Sequence, residues 1–259
     1  DVACIPMDIE RTLDAIADRA EAIARAGAVG AFVGGDHTIA LGTLRGLTRV
    51  HGPIGLIHFD AHTDTYGPAW DVDPHHGTIF RNAIEEELLR EGEIIQVGLR
   101  GPFSMEEDLS YARKHGFEVV LVDEVKRDLD GVCRKLAAHA GRGKRYVSFD
   151  IDAIDPAYAP GTGTPVPGGL TSWEAQQLVR ALRGVEIVGM DLVEVSPPSD
   201  HANITALLGA VLLAEMIAVH AATRVEGARN RPPRAEPHAA KVAKGMAAPS
   251  RQKKAKPRR

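Results

Sequence analysis

The run Gly55-Leu56-Ile57-His58-Phe59-Asp60-Ala61-His62-Thr63-Asp64, "GLIHFDAHTD", opens like a buried strand and closes on two carboxylates and an imidazole spaced two residues apart. An ionised group costs several kcal/mol to desolvate without a partner, so acids at the end of a core strand need compensation. A cation among them supplies it. The apolar part, Ile54 to Phe59, is short, continuous and bounded by polar residues, as in a parallel-sheet strand covered on both faces.

The neighbouring segments fit such a sheet. Ile9, Leu13, Ile16, Ala20 and Ile23 recur at helical spacing, with Asp8 as N-cap and Gly27 as C-terminal stop. A strand over 28–33 follows, then Gly34-Gly35-Asp36-His37 leads into a helix from about Thr38 to Leu47. Further strands are expected at 94–98, 119–122, 146–149 and 187–193, with helices near 79–90, 105–115, 127–140, 173–183 and 202–223. Alternating strands and helices predict an α/β fold, three αβα layers around a mostly parallel sheet. No internal repeat is visible.

Composition bounds the class. The chain has 259 residues, 44% of them hydrophobic, enough for one large α/β domain or two small ones. Cys4 and Cys133 are too few for a disulfide framework or a thiolate metal site, which suits a reducing compartment, and the cytoplasm is the expected location. The most apolar segment, Ala202 to Thr223, carries Asn203, Glu215 and His220, and is expected to be a core-facing helix rather than a membrane span. From Arg224 onward twelve Lys/Arg face two Glu, a balance of +10, whereas the preceding residues carry nineteen against thirty-three, −14. Residues 1–223 are therefore expected to form the domain. Residues 224–259 are expected to be a disordered basic tail, with too little apolar surface to offset ordering entropy. Its end, "RQKKAKPRR", has the charge to touch nucleic acid or an acidic partner, but a solvated tail without a dedicated partner is the expectation.

In parallel α/β sheets ligands bind at the carboxyl ends of strands. His37 follows one strand, Asp60, His62 and Asp64 the next, and Asp150 and Asp152 a third in "YVSFDID". If strand geometry persists that far, alternation points Asp60, His62 and Asp64 one way, and Asp150 and Asp152 likewise. Four carboxylates and two imidazoles around one pocket call for two divalent cations bridged by shared carboxylates. Oxygen and imidazole donors without thiolate suit manganese best.

Taken in order, "GGDHT" (34–38), "DAHTD" (60–64), "SFDIDAIDPAYAPGTGTPVPGGL" (148–170) and "GMDLVEVSPPSD" (189–200) resemble the ureohydrolase superfamily of arginases, agmatinases and related guanidino hydrolases, over roughly residues 1–223. The resemblance implies an arginase-like fold and two Mn²⁺ per subunit. One ion would be held by His37, Asp60, Asp64 and Asp150, the other by Asp60, His62, Asp150 and Asp152. Glu194 matches the carboxylate that grips the guanidinium, and His76, in "HHGT", the histidine assigned to proton shuttling; His75 is given no role. A guanidinium resists attack by neutral water, and a pair of divalent cations supplies hydroxide at neutral pH. Asp64 would stabilise the tetrahedral intermediate and relay a proton to the leaving amine, with urea as co-product.

The wording is closer to agmatinases than to arginases, whose asparagines for the amino-acid head of arginine are replaced by Tyr66 and Pro74. Agmatine is the expected small-molecule substrate, and guanidino acids, as in guanidinobutyrase or proclavaminate amidinohydrolase, are the alternative. A trimer or hexamer is implied. Family members usually carry a leading strand before the segment matching "DVACIP", so an N-terminally incomplete domain is expected, lacking its first strand. Two other classes fit the donor set alone: a non-catalytic metal-binding remnant and a two-metal phosphoesterase.

Overall fold

The computed structural model describes residues 1–2, 4–5, 7–68, 72–101 and 106–229. Within them β1 (Gly30–Val33), β2 (Ile54–Phe59), β3 (Leu89–Leu99), β4 (Glu118–Leu121), β5 (Lys144–Asp150) and β6 (Glu186–Val193) form one sheet in the order β1-β6-β5-β2-β3-β4. Every pairing is parallel. The strands read as apolar runs because both faces are covered, and β2 is buried throughout.

On one face α1 (Ile9–Arg25), α2 (Ile39–His51) and α3 (Ile79–Glu85) join a core of Leu13, Leu41, Leu44, Phe80, Leu56 and Tyr146. On the other, α5 (Val122–Arg127), α6 (Leu129–Ala137), α7 (Ser172–Arg180) and α8 (Ile204–Arg229) close over Ile57, Phe59, Val97, Val147 and Phe149. The remaining helix, α4 (Glu106–Lys114), follows β3. These are the three layers that the alternating pattern predicts. The α1 start is as read: Asp8 accepts a hydrogen bond from the Arg11 amide at 3.1 Å.

Several expectations shift. The helix expected over 127–140 is α6, Leu129–Ala137: Asp128 leaves helical geometry and caps it by accepting from the Gly131 amide at 2.8 Å, which separates it from the short α5 ending at Arg127. Strand β3 begins at Leu89 rather than Ile94, since Glu93 is held in the sheet by the buried guanidinium of Arg145, at 2.6 Å. Helix α8 continues past Arg224 to Arg229, so the first residues assigned to the tail are helical; the rest of that expectation lies outside the described residues. Nor is α8 wholly core-facing. Leu212, Met216 and Val219 are buried, but Ile204, Leu207, Val211, Ile217 and Val225 are exposed, and the helix is long and apolar enough to cross a membrane. Both cysteines are free.

Candidate metal centre

The carboxyl ends of β1, β2, β5 and β6 meet at one edge of the sheet, where the loops after them carry the polar motifs. After β1 the chain stays beside β6: the Gly34 amide donates to the Leu192 carbonyl at 3.1 Å, and the Glu194 amide to the Gly35 carbonyl at 2.9 Å. A Cβ on Gly34 would lie 2.4 Å from the end of the Ile39 side chain, so a larger residue here would have to displace Ile39 at the start of α2. His37 is thereby delivered, buried, beneath the ends of β2 and β5.

Its Nδ1 lies 3.0 Å from Asp64 Oδ2, 3.3 Å from Asp150 Oδ2 and 3.4 Å from Asp60 Oδ2, yet makes no hydrogen bond with any of them. On the other side His62 Nδ1 is 3.0 Å from Asp152 Oδ2 and 3.3 Å from Asp60 Oδ1. All six ligand-type residues named from the sequence come together. The donor atoms of His37, His58, Asp60 and Asp64 make one compact group, and those of Asp60, His62 and Asp152 a second. Asp60 belongs to both, with one oxygen toward each, as a bridging carboxylate would be.

The route to this convergence differs from the expected one. Strand β2 ends at Phe59, and Asp64 sits at φ 50°, in the left-handed region, so the loop curls rather than alternates. Asp150 passes into a tight 3-10 turn over Ile151–Ala153, where its carboxylate accepts from the Asp152 amide at 2.8 Å. The Ala61 amide and the Thr164 hydroxyl donate to Asp152, each at 3.1 Å. Arg100 ties the turn down, donating to the Asp152 carbonyl at 2.7 Å and the Val166 carbonyl at 2.6 Å.

The electrostatics fit a cation site. Burial, then the charges of Asp152 and Asp60, push the Asp150 carboxyl well above its ordinary range, and burial with Asp60 raises Asp152 to about 6. His62 is raised to about 11: desolvation lowers it, but the carboxylates of Asp152 and Asp60 beside it outweigh that. So much buried negative charge takes up protons unless metal ions take their place. An unpartnered buried imidazole nitrogen facing three carboxylates is a donor set that suits a divalent cation.

Glu194 and His76 stand beside the cluster. Glu194, at φ 65°, accepts from the His37 amide at 2.7 Å and lies 3.6 Å from His76 Nδ1. Burial would raise its carboxyl, but His76 and the His37 amide lower it; the Glu194 carboxylate in turn raises the half-exposed His76. His75 serves the local backbone, its Nδ1 accepting from the Gly77 amide at 3.2 Å.

A layer under the cluster escapes motif reading. In the register of the sheet Gln96 pairs with His58, His58 with Ser148, and Ser148 with Asp191, a single row across four adjacent strands, fully buried. His37 Nε2 bonds Ser148 Oγ at 2.7 Å, Ser148 donates to Asp191 at 2.8 Å, and the Tyr146 hydroxyl donates to the same carboxylate at 2.5 Å. The signal is there as a polar residue set inside the apolar run of each strand: His58 in "LIHF", Gln96 in "IIQV", Ser148 in "YVSF" and Asp191 in "GMDLV".

A six-stranded parallel α/β sheet with two overlapping His/Asp groups at its carboxyl edge defines a candidate dinuclear metal protein. Residues 1–218 match the Arginase family, and the chain belongs to it. It is 47% identical to a guanidinobutyrase of Pseudomonas aeruginosa over 72% of this chain and 59% of that protein. With a guanidinopropionase of the same organism it shares 43% identity, over 86% of this chain and 70% of the other. Among solved structures, proclavaminate amidino hydrolase from Streptomyces clavuligerus superposes with a TM-score of 0.81 at 38% identity, covering 86% of this chain and 74% of that one.

Proposed function

We propose that this chain is the catalytic domain of a binuclear manganese ureohydrolase, cleaving the guanidino group of a small linear compound to urea and an amine. The observation that carries the reading is the convergence of His37, Asp60, His62, Asp64, Asp150 and Asp152 from three separate loops, with a buried His37 nitrogen left without a hydrogen bond among three carboxylates. His37, Asp60, Asp64 and Asp150 would hold one Mn²⁺, and Asp60, His62, Asp150 and Asp152 the other. When bound, the two ions supply hydroxide at neutral pH from water whose pKa they bring from about 15.7 toward roughly 7.

The protein's own groups handle the substrate. Glu194, charged and partly sheltered, binds the guanidinium and sets its carbon against the cluster. Asp64 stabilises the charged intermediate and passes a proton to the departing amine, and His76, exposed on one side, exchanges protons with solvent. Agmatine is the proposed substrate on the wording of the motifs. A second reading, an ω-guanidino acid, is favoured by the names of the two Pseudomonas relatives. We also propose a homo-oligomer, supported by the exposed apolar residues of α8.

The test pairs elemental analysis of the purified chain with urea release from agmatine, 4-guanidinobutyrate and arginine. Two manganese ions per chain, urea from agmatine and loss of both in Asp150→Ala are expected. Turnover by Asp150→Ala with an empty cluster refutes the proposal, and urea from 4-guanidinobutyrate alone selects the second reading. Two bound ions without urea release make the chain a metal-binding protein of another kind.

A further inference from the structure

His58 stands among the cluster's donor atoms, close enough to count as a second imidazole ligand beside His37, Asp60 and Asp64. Its hydrogen bonds argue for a different task. Gln96 Nε2 donates to the Thr63 carbonyl at 2.7 Å, an acceptor that can only face an N–H. The same amide nitrogen lies 3.0 Å from His58 Nδ1, and its second hydrogen is directed there. Turning the amide over would set Gln96 Oε1 against the Thr63 carbonyl oxygen, so the observed orientation holds although Oε1 itself finds no partner. His58 Nδ1 must therefore present its lone pair to Gln96. In the neutral ring that leaves the hydrogen on Nε2, 2.8 Å from Asp60 Oδ2. A nitrogen carrying a proton does not ligate a metal. It donates to the carboxylate instead.

Asp60 is the residue common to both donor groups, and its two oxygens are held differently. Oδ1 accepts from the His62 amide at 2.6 Å, on the side of the second group, while Oδ2 faces His37 and receives His58. Two fixed donors, one per oxygen, set the plane of the carboxylate. Behind His58 the ring of Phe80 packs at 4.5 Å, and both His58 and Gln96 are fully buried, so neither donor can swing away.

We propose that His58, oriented by Gln96, is a positioning residue: it fixes the Asp60 carboxylate with one oxygen toward each donor group, where each would meet one ion, and is not itself a ligand. The inference rests on the binuclear reading above, and its test keeps the two apart. Nitrogen-15 NMR of the histidine rings in the wild-type protein without metal is expected to show an acceptor-type Nδ1 and a donor-type Nε2 for His58. The opposite tautomer overturns the assignment whatever the metal content.

Mn²⁺ titration followed by EPR then compares two variants. His58→Phe keeps an aromatic ring against Phe80 but has no donor; His58→Gln places an amide N–H near the position of Nε2. Loss of a hydrogen bond behind a ligand typically weakens metal binding about 10–100-fold, so His58→Phe is expected to lose the spin-coupled pair signal at Mn²⁺ concentrations that saturate wild type. His58→Gln is expected to recover it to within a few-fold. Pair formation by His58→Phe at wild-type concentrations refutes the positioning role, and His58→Gln failing as badly as His58→Phe returns His58 to the list of ligands. Failure of the wild-type chain to bind a pair of ions would instead sink the functional proposal.

Discussion

Removing one hydroxyl from the buried row, Ser148→Ala, tests how far the metal site depends on the strands beneath it. Ser148 accepts from His37 Nε2 at 2.7 Å and donates to Asp191 Oδ1 at 2.8 Å, and neither neighbour has water to turn to, His37 being 1% exposed and Asp191 0%. Alanine leaves an imidazole N–H without an acceptor; Asp191 keeps the Tyr146 hydroxyl and the Phe149 amide, the latter at 3.2 Å. An unsatisfied buried donor costs about 1–3 kcal/mol. The metal-free protein should therefore lose about that much in urea denaturation, seen as a lower midpoint at unchanged slope. With its ring no longer held from behind, His37 should bind metal about 10–100-fold more weakly, roughly 1.4–2.8 kcal/mol, as for other groups that orient ligands. Free Mn²⁺ measured by EPR across a titration reads this directly. The reasoning fails if Ser148→Ala matches wild type in both midpoint and Mn²⁺ affinity, because the row would then be filler rather than support.

Glu194→Gln keeps the shape that caps the His37 amide and removes the charge; kcat/KM for every guanidino substrate should fall about 10–100-fold, the worth of a hydrogen bond to a charged group, with Mn²⁺ content unchanged. An unaltered kcat/KM would take Glu194 out of substrate binding. Without metal Asp152 is raised to about 6 and His62 to about 11, so near neutral pH the empty site holds protons that arriving cations must displace. Calorimetric heats of Mn²⁺ binding should accordingly vary with the ionisation enthalpy of the buffer, and affinity should fall as pH drops through 6; heats independent of buffer would contradict this. Gly46 in α2 has no room for a side chain, since a Cβ would lie 2.1 Å from the Ala17 carbonyl oxygen of α1. Gly46→Ala should therefore cost about 1–3 kcal/mol of stability or more, and an unchanged denaturation midpoint would refute the tight α1–α2 contact.

The parts of the fold visible in the sequence are those where local pattern and tertiary environment agree. Strand β2 spans Ile54–Phe59 as read, because a strand covered on both faces is apolar throughout and stops where its polar ligands begin. Strand β3 hides its first half: Arg90 falls in the helix expected over 79–90, which ends at Glu85, and Glu91 and Glu93 look like loop residues, whereas Leu89 pairs with Ile54 and the distant Arg145 holds Glu93 at 2.6 Å. The six ligand-type residues were legible as acids and imidazoles at strand ends, but the way they converge was not. Alternation carries no information about the left-handed Asp64 or the turn after Asp150.

His58, Gln96, Ser148 and Asp191 pose the deeper difficulty. Each stands out in its own strand, yet what makes them one row is the register between strands far apart in the chain, which no local rule specifies. An apolar row would fill the same space without desolvating four polar groups, so the row is accounted for by what it faces. Gln96 meets His58, His58 meets Asp60, Ser148 meets His37, and Asp191 meets Ser148 and Tyr146. Every chain of bonds that leads to the cluster ends on a residue that would hold an ion. The departure from the hydrophobic pattern and the cluster above it are therefore one structural fact: the donors hold the ligands in place, and the ligands supply the partners without which buried donors could not be accommodated.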